Sequence, residues 1–238
     1  MSAGPSAAPV TAPFRVLVVA KAPVAGRAKT RLGADVGMTA AAEVAAAALL
    51  DTLRAAVATV GPDRCHLALA GDLGEAVRGE ELLRAVAGWT VHPQVGDGFA
   101  ARLARAHADV GGLTQEPVVQ VGMDTPQVTP ALLRGVAADL AGADAVLGEA
   151  QDGGWWVLGL RDPAAAACLV EVPMSTPRTG TLTRAALEAT GLRVATTRVL
   201  RDVDTVADAE AVADECPGSA FAEAWRRVVH EGAGAVRP

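Results

Sequence analysis

Short apolar runs alternate with helical patterns along almost the whole of this chain, and few architectures accept that order. Arg15-Val-Leu-Val-Val-Ala20 is apolar without alternation, the pattern of a strand buried on both faces. A loop over 21–32 follows, then an alanine-rich helix over about 39–59 that Thr39 caps and Gly61-Pro62 ends. The alternation continues with strands predicted at 64–70, 90–93, 117–121, 143–147, 155–160 and 193–200. Helices are predicted at about 73–86, 99–110, 130–140, 181–190, 205–215 and 219–230. Thr129-Pro130 is an N-cap followed by proline at the first helical position. This succession specifies an α/β fold with a mostly parallel central sheet and helices on both faces.

Half of the 238 residues (51%) are hydrophobic and 20% are charged, enough apolar surface to close one large core. A single domain over 14–230 is the simplest account, with a disordered N-terminal tail over 1–13 and a C-terminal tail over 231–238. The net charge of −6 argues against a nucleic-acid partner. Cys65, Cys168 and Cys216 lie far apart, which supports neither a zinc site nor a disulfide framework. No apolar run reaches the ~18 residues of a membrane span, and the N-terminus lacks the basic start and apolar core of a signal peptide. A cytoplasmic protein without a membrane partner is the expectation.

In sheets of this kind ligands bind beyond the carboxyl ends of the strands, so the segments after strands hold the candidates. The first is Ala20-Lys-Ala-Pro-Val-Ala-Gly-Arg-Ala-Lys-Thr-Arg-Leu32. Lys21, Arg27, Lys29 and Arg31 supply four cations and Gly26 a point of close backbone approach, which suits a di- or triphosphate. Lys21 and Lys29 are the only lysines in the chain, and arginine serves everywhere else. Compact ammonium groups with rotatable donors are therefore wanted here. A solvated basic loop is the plain alternative, and the spacing is neither G-x-x-x-x-G-K-[ST] nor G-x-G-x-x-G.

Gly122-Met-Asp124-Thr-Pro126 fixes a carboxylate at a strand end, a suitable ligand for Mg2+ or Mn2+, although turn chemistry also accounts for it. Glu149-Ala-Gln-Asp152-Gly-Gly-Trp-Trp156 offers a carboxylate suited to binding metal, orienting a hydroxyl or acting as a base. In a regular strand Trp155 and Trp156 point to opposite faces, so at most one lines a site. In Asp202-Val-Asp204-Thr-Val-Ala-Asp208, Thr205 and Asp208 read as a capping box, which leaves Asp202 or Asp204 to supply a second metal oxygen. The stretch from Gln94 to Arg102 contains Gly96-Asp97-Gly98 and borders a helix start, and Pro173-Met-Ser-Thr-Pro177 is a polar loop. His66, His92, His107 and His230 have no mutual ligand spacing, and no nucleophile elbow is present.

Taken together, A-K-A-P-V-A-G-R-A-K-T-R-L, G-M-D-T-P, D-G-G-W-W-V-L-G-L and D-V-D-T, spread from about Phe14 to Asp214, resemble the bacterial glycosyltransferase-like DUF2064 family. The resemblance implies a GT-A-type, Rossmann-like single domain related to the nucleotide-diphospho-sugar transferases. It implies that Lys21, Arg27, Lys29 and Arg31 face nucleotide phosphates together with Gly26 and Arg102. It further implies that Asp124 holds a divalent cation, with Asp204 or Asp202 beside it, and that Asp152, Gly153 and Gly154 lie at the acceptor side with Trp155, Ser175 and Thr176. The family's usual serine before the metal aspartate is Met123 here, and its tyrosines after Asp-Gly-Gly are Trp155 and Trp156.

The activity this implies is a Mg2+- or Mn2+-dependent glycosyltransferase with a nucleotide-sugar donor and a small-molecule acceptor, Asp124 and Asp152 being the catalytic carboxylates. The basic loop also resembles that of the guanylyltransferases that activate phospholactate or phosphoenolpyruvate. Nucleotidyl transfer from a nucleoside triphosphate, or nucleotide binding without turnover, are the alternatives.

Overall fold

The computed structural model of the chain describes residues 13–234. Of the expected tails, 1–12 and 235–238 lie outside the described residues, while residues 231–234 extend the last helix instead of forming a tail.

The strands are β1 (Arg15–Lys21), β2 (Cys65–Ala70), β3 (Thr90–Pro93), β4 (Val118–Gly122), β5 (Ala145–Glu149), β6 (Trp155–Leu160) and β7 (Val194–Thr196). The helices are α1 (Thr30–Val36), α2 (Met38–Val60), α3 (Gly79–Ala85), α4 (Gly98–Gly111), α5 (Pro130–Asp139), α6 (Thr179–Ala189), α7 (Val206–Glu215) and α8 (Ala220–Gly234). The strands form one seven-stranded sheet in the order β3-β2-β1-β4-β6-β5-β7. Pairing is parallel except that β6 runs antiparallel to both β4 and β5. The connection from β5 to β6 covers only residues 150–154, too short for the crossover that parallel neighbours need.

Side-chain alternation along β1 feeds two cores. Val16 and Val18 pack on one face with Leu49, Leu53, Leu82, Leu133 and Trp156, under α2, α3 and α5. Leu17 and Val19 pack on the other with Leu103, Val110, Leu158 and Leu187, under α4, α6 and the 3-10 helical turns at Pro163–Glu171. A third cluster of Leu32, Val44, Val212, Phe221 and Trp225 seals α1, α7 and α8 onto α2. Because β1 is covered on both faces, its five central residues are all buried and its sequence is uniformly apolar. Asp51 on α2 accepts the N–H groups of Ala220 and Phe221 at 3.1 and 2.8 Å and so holds the first turn of α8. No helix among the described residues is long and apolar enough to cross a membrane.

Several local expectations are corrected. Thr39 lies inside α2, whose N-cap is Gly37. The loop after β1 ends at Lys29, since α1 already begins at Thr30. The helix expected over 73–86 is broken into a short 3-10 turn, Leu73–Glu75, and α3, because the Val77 N–H donates to the Pro23 carbonyl and pulls the chain out of helical register. The strand expected over 193–200 is cut to Val194–Thr196, with an isolated bridge from Leu200 to Ala150. By contrast Thr129 caps α5 through the Leu132 N–H, and Thr205 and Asp208 form the capping box of α7.

Candidate functional site

The carboxyl ends of β1 and β4, the turn before β6 and the segment before α7 meet around a cavity of about 580 Å3. Two backbone ties bring them together. The Val203 N–H donates to the Asp124 carbonyl at 3.0 Å, and the Gln151 N–H donates to the Leu200 carbonyl at 3.0 Å. Asp124, Asp152, Asp202 and Asp204 all line the cavity as a result. Lys21, Arg31 and Arg102 line the same space. An adjoining recess of about 250 Å3 is bordered by Lys21, Arg27, Lys29, Arg31, Asp124 and Asp204.

The four cations after β1 divide into distinct environments. The Lys29 Nζ donates to Asp124 Oδ2 at 2.9 Å and to Asp204 Oδ1 at 2.7 Å, with its side chain only 10% exposed. Burial alone would lower the pKa of this ammonium, but Asp124 and Asp204 override it and hold the pKa above the usual lysine value. Lys29 therefore faces two carboxylates, not the open cavity that the phosphate reading expects. Arg31 is largely exposed and reaches Asp204 Oδ2 at 3.4 Å. Arg27 pairs with Glu75 at 3.5 Å across the surface and touches only the recess. Lys21 and Arg102 enter no ion pair among the described residues. Gly26 borders neither cavity; its φ of +74° makes a turn that glycine adopts freely.

The acidic side is crowded. Asp202 Oδ1 is buried and lacks a hydrogen-bond partner. Burial first, then the charges of Asp124 and Asp152, push the Asp202 carboxyl up to about 8, against partial relief from Lys29. Asp152 Oδ1 accepts the Gly154 N–H at 2.8 Å in its own turn. Gly153 does not line the cavity. Its φ is +87°, and a Cβ there would collide with the Pro177 carbonyl, so it joins the turn to the 173–177 loop. The carbonyls of Gly153 and Gly154 accept the N–H groups of Gly180 and Ala150.

The far wall combines Gly154, Trp155, Met174, Ser175, Thr176 and Pro177. The Trp155 Nε1–H donates to Thr183 Oγ1 at 3.2 Å, which fixes the indole against the cavity, while Trp156 is 1% exposed in the core. The two tryptophans thus separate by face as strand geometry requires. Ser175 has a left-handed backbone (φ 59°), and the Thr176 hydroxyl contacts Thr179 Oγ1 at 3.2 Å and accepts the Arg178 N–H.

Gln120 is a cavity residue that the sequence reading passes over, although a polar residue within the apolar run Val118–Gly122 is a visible signal. Its Oε1 lies 2.8 Å from His107 Nε2. Burial lowers the His107 pKa to about 4, so the ring is neutral and donates through Nε2. Gln94 donates through Nε2 to the carbonyls of Ala20 and Ala68, tying the end of β3 to β1 and β2.

The oxygens of Asp124, Asp202 and Asp204 have the chemistry of a hard-cation donor set, and the unpartnered Asp202 Oδ1 fits one. Among the described residues, however, no three His, Cys, Asp or Glu side chains are gathered to hold a metal ion. Asp124 and Asp204 converge on the Lys29 ammonium.

Solved structures of similar fold set this site in context. A candidate nucleotide-diphospho-sugar transferase from Desulfovibrio desulfuricans G20 superposes with a TM-score of 0.78 at 23% identity, over 93% of this chain and 95% of that one. A homologue of Mycobacterium tuberculosis Rv0371c from Mycobacterium sp. strain JC1 gives 0.54 at 21% identity, over 87% and 99%. A nucleotidyl transferase from Methanothermobacter gives 0.51 at 19% identity, over 84% and 96%. These likenesses establish the fold. No curated protein matches the chain. The model of the bacterial family described as "uncharacterized protein conserved in bacteria" matches residues 32–176, from within α1 through the Met174-Ser175-Thr176 wall. The chain is a member of the DUF2064 family.

Proposed function

We propose that this protein is a nucleotide-utilising transferase that works with a divalent cation, and that its donor is a nucleotide-activated sugar. The observation that carries this reading is one cavity lined both by Asp124, Asp152, Asp202 and Asp204 and by Lys21, Arg31 and Arg102. Such a lining suits a metal-bound diphosphate, with carboxylates to hold the cation and basic groups to pair with the phosphate oxygens. Asp124 with Asp202 or Asp204 would hold Mg2+ or Mn2+, and the ion supplies Lewis-acid stabilisation of the departing diphosphate.

Lys21 and Arg31 bind the donor phosphates from the β1 side. Asp152 orients the acceptor hydroxyl against the wall formed by Trp155, Ser175 and Thr176. The fold resembles that of a candidate nucleotide-diphospho-sugar transferase, which agrees with this reading.

Arg102 favours a second reading. A guanidinium on α4 with no acidic partner among the described residues suits a phosphorylated acceptor, as in nucleotidyl transfer from a nucleoside triphosphate to a phosphorylated acid. A thermal-shift screen of nucleoside di- and triphosphates and sugar nucleotides, with and without Mn2+, identifies the donor. Product analysis then separates the readings. Release of a nucleoside diphosphate supports sugar transfer, and release of pyrophosphate supports nucleotidyl transfer. If no nucleotide shifts the melting temperature with or without Mn2+, both fail.

A further inference from the structure

We propose that Gln120 is a ligand-binding residue, whose carboxamide aims its N–H groups into the cavity as donors for an uncharged oxygen of the ligand, a carbonyl or a hydroxyl. His107 is the positioning residue that decides which end of the amide faces out. For the identity of the ligand this rests on the nucleotide-using reading above.

Gln120 sits at the middle of β4, with Leu17 of β1 and Leu158 of β6 as register partners on the same face of the sheet. Both leucines are fully buried and Gln120 is 2% exposed, so the fold alone calls for an apolar side chain here. Its one side-chain hydrogen bond joins Oε1 to Nε2 of His107 at 2.8 Å, and His107 is itself fully buried on α4. A buried polar pair of this kind stabilises a fold little more than two apolar side chains of the same shape. Nor is the pair complete in itself. Gln120 Nε2 has no hydrogen-bond partner among the described residues, yet it is not sealed in the core, and the residue lines the cavity. The donors left over are therefore open to a ligand.

The far side of the histidine fixes the orientation of the amide. His107 Nδ1 is buried without a partner. A ring protonated there would leave an N–H orphaned in the core, which folded proteins almost never do. Protonation at Nε2 leaves only a bare lone pair at Nδ1. The Nε2–H then donates to Gln120 Oε1, and the amide cannot turn its oxygen toward the cavity. The ligand atom opposite is thus an acceptor. Val19, Leu103 and the Trp155 indole belong to the same face of the sheet and line the same cavity. One neutral donor among such apolar groups does not repay the desolvation of a phosphate, which has Lys21, Arg31 and Arg102 in the same lining. The acceptor is therefore an uncharged oxygen.

The chain has five glutamines and no asparagine, so its side-chain amides are a small set to follow by nuclear magnetic resonance. The unaltered protein, labelled with nitrogen-15, is titrated in MgCl2 with the di- and triphosphates of adenosine, cytidine, guanosine, uridine and thymidine and with the corresponding diphosphoglucoses. A nucleotide that binds is expected to shift the Gln120 side-chain amide pair, and the His107 ring is expected to carry its proton on Nε2. A shift with a sugar-free nucleotide assigns the acceptor oxygen to the nucleoside; a shift with the diphosphoglucoses alone assigns it to the sugar. A proton on His107 Nδ1 alone, or binding that leaves the Gln120 pair unmoved, overturns the proposal and leaves the nucleotide reading standing. No binding of any of these ligands overturns the nucleotide reading and this inference with it. Gln120→Met is the second arm, since it keeps the length of the side chain and removes both donors. In the folded variant the nucleotide that binds is expected to lose affinity about tenfold by titration calorimetry, and an unchanged affinity also overturns the proposal.

Discussion

The Val203 N–H donates to the Asp124 carbonyl at 3.0 Å, and this one main-chain bond joins the two acidic segments of the cavity. Val203 is 1% exposed, so the tie is shielded from water. Its neighbours Asp202 and Asp204 are thereby held beside the Asp124 loop, where both line the cavity.

Asp124→Asn tests the site without dismantling it. Lys29 keeps Asp204 as a partner, so the ligand-free melting temperature should move by only a few degrees. The rise in melting temperature produced by nucleotide with Mn2+ should vanish, and turnover with it. Differential scanning fluorimetry on both proteins reads the two effects separately.

Arg102→Ala should weaken binding of the anionic ligand about tenfold, roughly 1.4 kcal/mol, and flatten the salt dependence of binding. Titration calorimetry at two ionic strengths checks this, and the ligand-free stability should stay within about 0.5 kcal/mol because Arg102 makes no ion pair among the described residues.

Acidification should destabilise the protein through its buried histidines. Burial lowers the pKa of both His107 and His66 to about 4, below the unfolded value of 6.5. Between those values the unfolded chain binds more protons, so stability is intact above pH 6.5 and falls as the pH drops toward 4. The slope is at most ~1.4 kcal/mol per pH unit for each histidine. Urea denaturation across that range should show the loss, and His107→Gln should make it shallower.

Asp51→Ala removes the acceptor of the Ala220 and Phe221 N–H groups and leaves the first turn of α8 unsatisfied beside the buried Phe221. A loss of about 1–3 kcal/mol is expected from chemical denaturation. Asp51→Asn, which keeps an acceptor oxygen, should recover part of it.

Gly153→Ala should cost about 2 kcal/mol or more, because the left-handed backbone and the collision with the Pro177 carbonyl act together. Since that carbonyl belongs to the cavity wall, ligand affinity should fall along with stability.

The sheet was readable where a buried strand writes itself as an unbroken apolar run, as β1 does between its charged ends and β6 does throughout. Helix ends were readable where a cap is chemical, as at Thr129 and Thr205. What escaped depends on distant partners. The break between residues 75 and 79 follows from a backbone bond to Pro23, and no local propensity encodes it. The reversed direction of β6 leaves no trace in a strand's hydrophobic pattern; only the five-residue connection betrays it. Asp124, Asp152, Asp202 and Asp204 were legible as carboxylates after strands. That Lys29 turns inward to two of them was not, since a cation in a basic loop looks the same whichever way it points.

The ion pair between Lys29 and Asp204 closes a chain separation of 175 residues. Most of the sheet is complete before the ribosome reaches Asp204, so a nascent chain can gather its strands while this grouping of charges is still missing. This charge cluster is thus closed late by topology alone, just ahead of α7.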